Sequence, residues 1–305
     1  MMVISTLTPV NKRYGDRAVL DGVDISLEAG DSLALFGKNG AGKTTLIKMV
    51  LGLAFPTVGE LRVFGVRPGS VPGRVGYLCE DVAIYPHLSA ADNLRVVAYS
   101  SRVSLSSSQI SAILRKVALD DVRRKPARAF SLGMKRRLQL AMAALVAPKD
   151  LYVLDEPTNG LDVNGMIWLK SFLAEMRSTG SSILLASHAL AELEGEISRY
   201  LIIDNGKVIQ QDVWRGAQGA VLGWLIQIQD EQKDALLSML STKRIHARDM
   251  GRGGVEIRGN ITYRDLSMIL AEYQVFPESV APIRDTLTDI LSRAIEGSCA
   301  PSALS

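Results

Sequence analysis

An apolar run, Ser32-Leu33-Ala34-Leu35-Phe36, leads directly into Gly37-Lys38-Asn39-Gly40-Ala41-Gly42-Lys43-Thr44, and a helical pattern follows from Lys43 to Leu53. Of all the features in the 305 residues, this one most constrains the fold. It fits G-x-x-x-x-G-K-[ST] in the strand, loop and helix setting that gives the pattern meaning. Glycines let the backbone turn tightly, so that successive N–H groups converge on phosphate oxygens. The helix that follows adds the positive end of its dipole. Lys43 is then placed to neutralise β- and γ-phosphates, and the Thr44 hydroxyl to hold Mg²⁺. Alone, so short a pattern is also compatible with a plain glycine turn, so the surrounding chain has to decide.

That chain alternates strands with helices. Val19-Leu20 and Val23–Leu27 read as short strands, followed by a turn at Glu28-Ala29-Gly30-Asp31. Further strands are expected at Leu61–Phe64, Val75–Cys79, Leu151–Leu154 and Ser182–Ala186. Residues 89–119 have helical periodicity, interrupted by the Ser104–Ser108 run, which marks a surface break or an N-cap. Such alternation indicates an α/β fold with a mainly parallel sheet. After Trp214 the pattern becomes a small α+β one. Strands are expected at 224–229 and Gly254–Arg258, and helices at Gln232–Leu240, Tyr263–Tyr273 and Thr286–Ile295. The expected domains are 1–215, with a helical subdomain at about 86–145, and 216–305.

Several function classes fall away on composition. The chain has 35 basic and 32 acidic residues, too balanced to argue for a nucleic-acid partner, and its second part has 9 basic against 11 acidic. Two cysteines, Cys79 and Cys299, make no disulfide framework and suit a reducing compartment. The longest apolar run, Leu140–Ala147, is far short of the roughly 20 residues of a spanning helix. With no basic leader before an apolar stretch, the expected location is the cytosol.

Chemistry beyond the glycine loop concentrates in four segments. Leu151-Tyr152-Val153-Leu154-Asp155-Glu156 is an apolar strand ending in two carboxylates. Asp155 can hold Mg²⁺ through water, and Glu156 can polarise an attacking water; a solvated turn would look the same in isolation. Phe130-Ser131-Leu132-Gly133-Met134-Lys135-Arg136-Arg137-Leu138 precedes that strand. Asn159-Gly160-Leu161-Asp162 follows it, and Ser187-His188 ends the next strand. Singly, Ser131 reads as a helix cap, His188 as a satisfied core histidine and the basic cluster as a solvated face. In this order, together with the glycine loop, residues 1–210 resemble the ATP-binding subunits of ABC transporters.

The resemblance implies a P-loop NTPase core of the ABC ATPase kind, with an antiparallel β subdomain and a helical subdomain. It implies ATP as substrate, Mg²⁺ as cofactor and hydrolysis coupled to transport. Tyr14 matches the aromatic that stacks on adenine, where base preference would be weak. Gly37, Asn39, Gly40, Ala41, Gly42, Lys43, Thr44 and Thr45 would surround the phosphates, with Thr44, Glu80 and Asp155 toward the metal. Lys43, Glu156 and His188 would be catalytic, His188 as the sensor of the γ-phosphate. Ser131, Gly133 and Met134 fall in the signature loop, which faces ATP held by the other subunit, and Asp162 in a loop that crosses the dimer seam.

Three features depart from the commonest pattern. Leu132, Met134 and Lys135 give the S-x-G-M-[KR] variant, which looks like exporters of the ABC-2 type. Glu80 stands where most members have glutamine, and a carboxylate cannot donate an amide N–H. Lys38 replaces a common proline. The implied partners are a second copy joined through ATP, integral permease subunits received near Ile84–Leu94, and an accessory protein outside the membrane; no nucleic acid is expected. The implied place is the cytoplasmic face of the cell membrane. The implied cargo is a drug or antimicrobial peptide. Alternatives are the ATPase of a nitrous-oxide-reductase maturation system and a non-transport regulatory ABC ATPase. Residues 216–305 weakly resemble the accessory region of ABC-2 ATPases, for dimer contact, regulation or packing alone.

Overall fold

The computed structural model describes residues 2–78, 84–101, 103–145, 150–187, 190–214, 221–259 and 261–298. Two compact units emerge, Met1–Trp214 with Leu291–Ser305, and Arg215–Ile290.

The first unit opens with an antiparallel sheet. The long strand β1 (Met2–Tyr14) pairs with β2 (Arg17–Val23), with β3 (Ser26–Glu28) and with β5 (Val58–Val63). Beside it lies a six-stranded sheet built from β4 (Ser32–Phe36), β6 (Val75–Leu78), β7 (Leu151–Asp155), β8 (Ser182–Ala186), β9 (Arg199–Asp204) and β10 (Lys207–Val213). Its order is β10-β9-β4-β8-β7-β6, with every pair parallel except β9 with β10. All five residues of β4, β7 and β8 are buried, which explains why these strands read as continuous apolar runs rather than alternating ones. The β9–β10 hairpin turns on Asn205-Gly206, both with positive φ, the geometry of a two-residue primed turn.

One core joins the two sheets through helix α1 (Lys43–Val50). Its Leu46, Ile47, Met49 and Val50 meet Leu33 and Leu35 of β4 and Val3, Ile4, Leu61 and Val63 of the antiparallel sheet. Each such side chain stabilises by roughly 1.5–3 kcal/mol relative to exposure. A second core belongs to α2 (Ala90–Ser100), α3 (Ser107–Lys116) and α4 (Leu132–Ala144), packed through Leu94, Ile110, Leu114, Leu138 and Ala141. Each of the three begins on a serine. Ser89 caps α2, Ser106 forms a reciprocal capping box with Gln109 at α3, and Ser131 accepts from the Met134 N–H at α4. The break in residues 89–119 therefore falls in the serine run, as its composition suggested. Helix α5 (Val163–Ser178), capped by Asp162, buries Leu169, Phe172, Leu173 and Met176, with Phe172 edge-on to Tyr152 of β7.

In the second unit the order is β11 (Val221–Gln227), α6 (Asp230–Thr242), β12 (His246–Gly251), β13 (Gly254–Arg258), α7 (Tyr263–Glu272) and β14 (Ser279–Arg284). The strands form one antiparallel sheet in the order β12-β13-β11-β14. This βαββαβ succession is the ferredoxin-like arrangement. Trp224 and Ile226 of β11 face Leu236 and Leu240 of α6 and Leu266 and Leu270 of α7 in one buried cluster. A final helix α8 (Leu287–Ser298) follows.

Strands β1, β9, β10, β12 and β14 were not anticipated. Strand β12 (His-Ala-Arg-Asp-Met-Gly) is almost wholly exposed, and β14 is an edge strand containing Pro282. An edge strand with little buried surface has no alternation to read, and only there is a strand proline tolerated.

Candidate functional site

Parallel pairing decides what the glycine loop sits beside. Leu35 registers with Ala186 and Asp155 with Ala186, so the C-terminal ends of β4, β8 and β7 lie level. The loop 37–44 leaves β4, Glu156 leaves β7 and Ser187 leaves β8, all at the edge of the sheet where α/β folds bind ligands.

The loop itself is shaped by glycine. Gly37, Gly40 and Gly42 have φ of 153°, 81° and 113°. A Cβ on Gly37 would clash with the Ile203 carbonyl oxygen, and one on Gly42 would lie 2.5 Å from Cδ2 of Leu20. Gly42 caps α1, and Lys43 begins it. The Lys43 ammonium curls back over the loop and donates to the carbonyl oxygens of Gly37 at 2.5 Å and Lys38 at 3.3 Å. Burial holds its pKa below the ordinary lysine value, against the opposing pull of the Glu156 and Asp155 charges. A cavity of about 640 Å³ opens here, lined by Lys38, Asn39, Gly40, Gly42, Lys43, Thr44 and Thr45 on one side, and by Arg17 and Val19 of β2 with Glu156 and Asn159 on the others.

Asp155 is 9% exposed at the end of β7. Glu156 follows with φ of 49°, the left-handed region that a residue with a side chain occupies only when its surroundings hold it there. Its N–H donates to the Ala186 carbonyl at 2.8 Å, and its carbonyl accepts from the Arg136 guanidinium at 2.5 Å and from the Asn159 N–H at 3.3 Å. Next to it, buried Thr158 and Ser187 hydroxyls meet at 2.9 Å. Thr44 and Asp155 offer only hard oxygen donors, one neutral and one anionic. That set suits Mg²⁺, which takes one or two protein oxygens and completes its shell with phosphate and water. Among the described residues no group of three His, Cys, Asp or Glu side chains could hold a metal by itself.

The other expected residues lie elsewhere. Tyr14 is 51% exposed at the tip of the β1–β2 hairpin, with the Lys12 ammonium 4.8 Å from its ring centroid. It does not line the cavity, whereas its hairpin partner Arg17 does. Ser131, Gly133 and Met134 also stand apart from the cavity, at the start of α4, where Leu132 is 73% exposed. A Cβ on Gly133 would sit 3.5 Å from the Gly160 carbonyl oxygen, so this end of α4 packs against the loop after Glu156. Glu80 and His188 lie outside the described residues. Arg17, Asn159 and Arg136 were not singled out from the sequence. Arg17 had no signal besides its place three residues after Tyr14, and Arg136 was hidden in a basic run that reads as solvated.

Comparison with known proteins agrees with this geometry. The family model described as ABC transporter matches residues 20–159. The chain is 37% identical over 211 residues to the lantibiotic transport ATP-binding protein SrtF of Streptococcus pyogenes, covering 68% of this chain and 90% of that one. It is 35% identical over 207 residues to the bacitracin transport ATP-binding protein BcrA of Enterococcus faecalis, covering 66% and 67%. Among solved structures, one described as the ATP-binding subunit of an ABC transporter aligns with a TM-score of 0.62 at 29% identity, over 69% of this chain and 90% of that one. Nothing in these similarities supports the nitrous-oxide-reductase alternative.

Proposed function

The chain belongs to the ABC transporter family, and on that premise we propose that it is the ATP-hydrolysing subunit that drives a separate exporter permease. It binds ATP and hydrolyses it. By analogy with the relatives named for lantibiotic and bacitracin transport, its cargo is an antimicrobial peptide or a related drug. The observation that carries this reading is the level alignment of the ends of β4, β7 and β8 around one cavity. That alignment supports reading the glycine loop, Asp155 and Glu156 as one triphosphate site: the loop and Glu156 line the cavity, and Asp155 precedes Glu156 at the end of β7.

In this reading the loop N–H groups and Lys43 hold the phosphates, and Arg17, which also lines the cavity, adds a second cation. Thr44 and Asp155 would hold Mg²⁺, which would supply neutralisation of phosphate charge. Glu156 takes the proton of the attacking water. Ser131 and Gly133 do not line this cavity. They serve the ATP of a second copy, so each nucleotide is shared and its hydrolysis loosens the pair. Among the described residues no helix is long and apolar enough to cross a membrane, so the force passes to permease subunits. The work is then done at the cytoplasmic face of the membrane. None of these residues requires an accessory protein outside it.

Glu156→Gln tests the assignment. The amide keeps the shape and loses the base, so turnover should fall by roughly 10²–10⁴, while sedimentation shows an ATP-dependent dimer. Parental turnover in this variant would remove Glu156 from the base role, and a monomer at saturating ATP would remove the shared site.

A further inference from the structure

We propose that Arg136 is a positioning residue: it ties the helix that begins at Ser131 to the backbone of Glu156, so that a second subunit engaging that helix sets the geometry of the hydrolytic carboxylate in the first. This rests on the function proposed above and adds a route by which one ATP site senses the other.

Three observations converge. First, Arg136 is a charged side chain only 3% exposed, within the second turn of α4. Its guanidinium donates to the Gln139 side-chain oxygen at 3.2 Å and, through Nη2, to the Glu156 carbonyl at 2.5 Å. A buried cation is costly to place unless its hydrogen bonds are well made, and a charge-assisted bond is roughly twice as strong as a neutral one. Second, the acceptor belongs to a residue in left-handed backbone, at φ of 49°. Such a conformation persists only when neighbours over-determine it. The Ala186 carbonyl holds the Glu156 N–H, and Arg136 with the Asn159 N–H holds its carbonyl.

Third, the turn that bears Glu156 is a partition. On one side is the cavity with Lys43, Thr44 and Glu156. On the other is a second cavity of about 300 Å³ lined by Leu132, Lys135, Arg136 and Gly160. Asn159 contributes to both, and the Arg136 side chain bridges from α4 to the partition itself. The neighbouring Arg137 donates to the carbonyls of Val117 and Ala118 at 3.1 and 3.3 Å and pairs with the Asp162 carboxylate at 3.8 Å, leaving the Glu156 carbonyl to Arg136. Adjacent arginines thus anchor α4 on two sides, and only Arg136 reaches the carboxylate's peptide. When the N-terminus of α4 is drawn onto a partner's triphosphate, the rigid helix carries Arg136 with it. The Glu156 carbonyl then follows, turning its side chain relative to the bound water. A displacement near 1 Å at a reacting group can change a rate by about 10²-fold, so a small movement suffices.

The test uses the full chain with Arg136→Met, which keeps the apolar stem and removes every donor, and Arg136→Lys, which keeps the charge on a single donor nitrogen. ATP affinity is measured by titration in EDTA, where hydrolysis is silent, turnover with Mg²⁺, and hydrogen exchange at residues 156–159 without nucleotide. The expected result is a fall in kcat of about tenfold or more for R136M, with ATP affinity changed by less than about twofold. R136K should lie between parent and R136M, and exchange at 156–159 should be faster in both. Parental kcat in R136M overturns the proposal. So does a loss of turnover matched by an equal loss of ATP affinity, since that is what general unfolding of the site would give. If R136M does not fold, R136K decides, and a parental value of either its kcat or its exchange overturns the proposal. A parent chain that fails to hydrolyse ATP would refute the function proposed above. A parent that hydrolyses ATP through Lys43 and is indifferent to Arg136 would refute this inference alone.

Discussion

Two glycines of one loop, Gly40 and Gly42, should respond very differently to a single methyl group. Gly40 has φ of 81° and nothing within 4 Å of a built Cβ. Gly40→Ala therefore meets backbone strain alone, roughly 1–2 kcal/mol for an L-residue in left-handed backbone. Gly42 has φ of 113°, and its Cβ would lie 2.5 Å from Leu20 Cδ2 and 3.0 Å from the Val19 carbonyl oxygen. Leu20 is 1% exposed, so it cannot swing into solvent; it must push on the core shared by α1 and the antiparallel sheet. Strain of about 1–3 kcal/mol and overpacking of about 1–3 kcal/mol together put Gly42→Ala at roughly 2–6 kcal/mol. The assay is urea unfolding of the full chain. With a slope near 2 kcal/mol per molar, the two midpoints should differ by about 0.5 M or more, and the shift should be confined to the transition of the first unit. Because Arg17 and Val19 line the cavity and move with Leu20 on β2, Gly42→Ala should also weaken ATP binding about tenfold per 1.4 kcal/mol transmitted. Equal midpoints for the two variants would refute the steric account of this loop.

Three further outcomes can be checked. Since burial lowers the Lys43 pKa, the unfolded chain binds the extra proton in the alkaline window between the lowered value and the ordinary one, and stability rises with pH there. A bound triphosphate favours the charged lysine, so ATP binding should take up a proton in that window and weaken as pH rises through it. Calorimetry in buffers of different ionisation heat reads this directly, and uptake persisting in Lys43→Arg would exclude Lys43 as its source. Thr262→Ala removes the cap of α7, where the Thr262 hydroxyl accepts from the Asp265 N–H, and should cost the second unit about 0.5–2 kcal/mol. ATP turnover should be unchanged, and a parallel loss of turnover would show that the second unit acts on the site. Lys43→Ala should abolish measurable ATP binding, because the one ammonium that folds over the loop carbonyls of Gly37 and Lys38 is gone; retained affinity would refute the phosphate-loop reading.

Much of this could be read from order along the chain. The glycine loop is local: eight consecutive residues specify its turns, and the flanking apolar strand and helix specify its setting. The same holds for the carboxylate pair after β7 and for the serine caps of α2, α3 and α4, where the side chain bonds to a backbone N–H three residues on. The edge strands β12 and β14 were illegible because little of their surface is buried, so selection for a core left no alternation in them.

The reach of Arg136 was illegible for a different reason. Its acceptor is a backbone carbonyl 20 residues away, and a peptide oxygen has no residue identity to recognise in a sequence. Likewise Arg17 lines the cavity beside the glycine loop only because the β1–β2 hairpin packs against that loop. The residue types able to hold a triphosphate and split it were determined by short-range sequence, since each acts through its own side chain or its immediate neighbours. Which strand ends stand level and which buried cation bonds the Glu156 carbonyl were decided only by the parallel register and helix packing. Those depend on contacts between residues far apart in the chain.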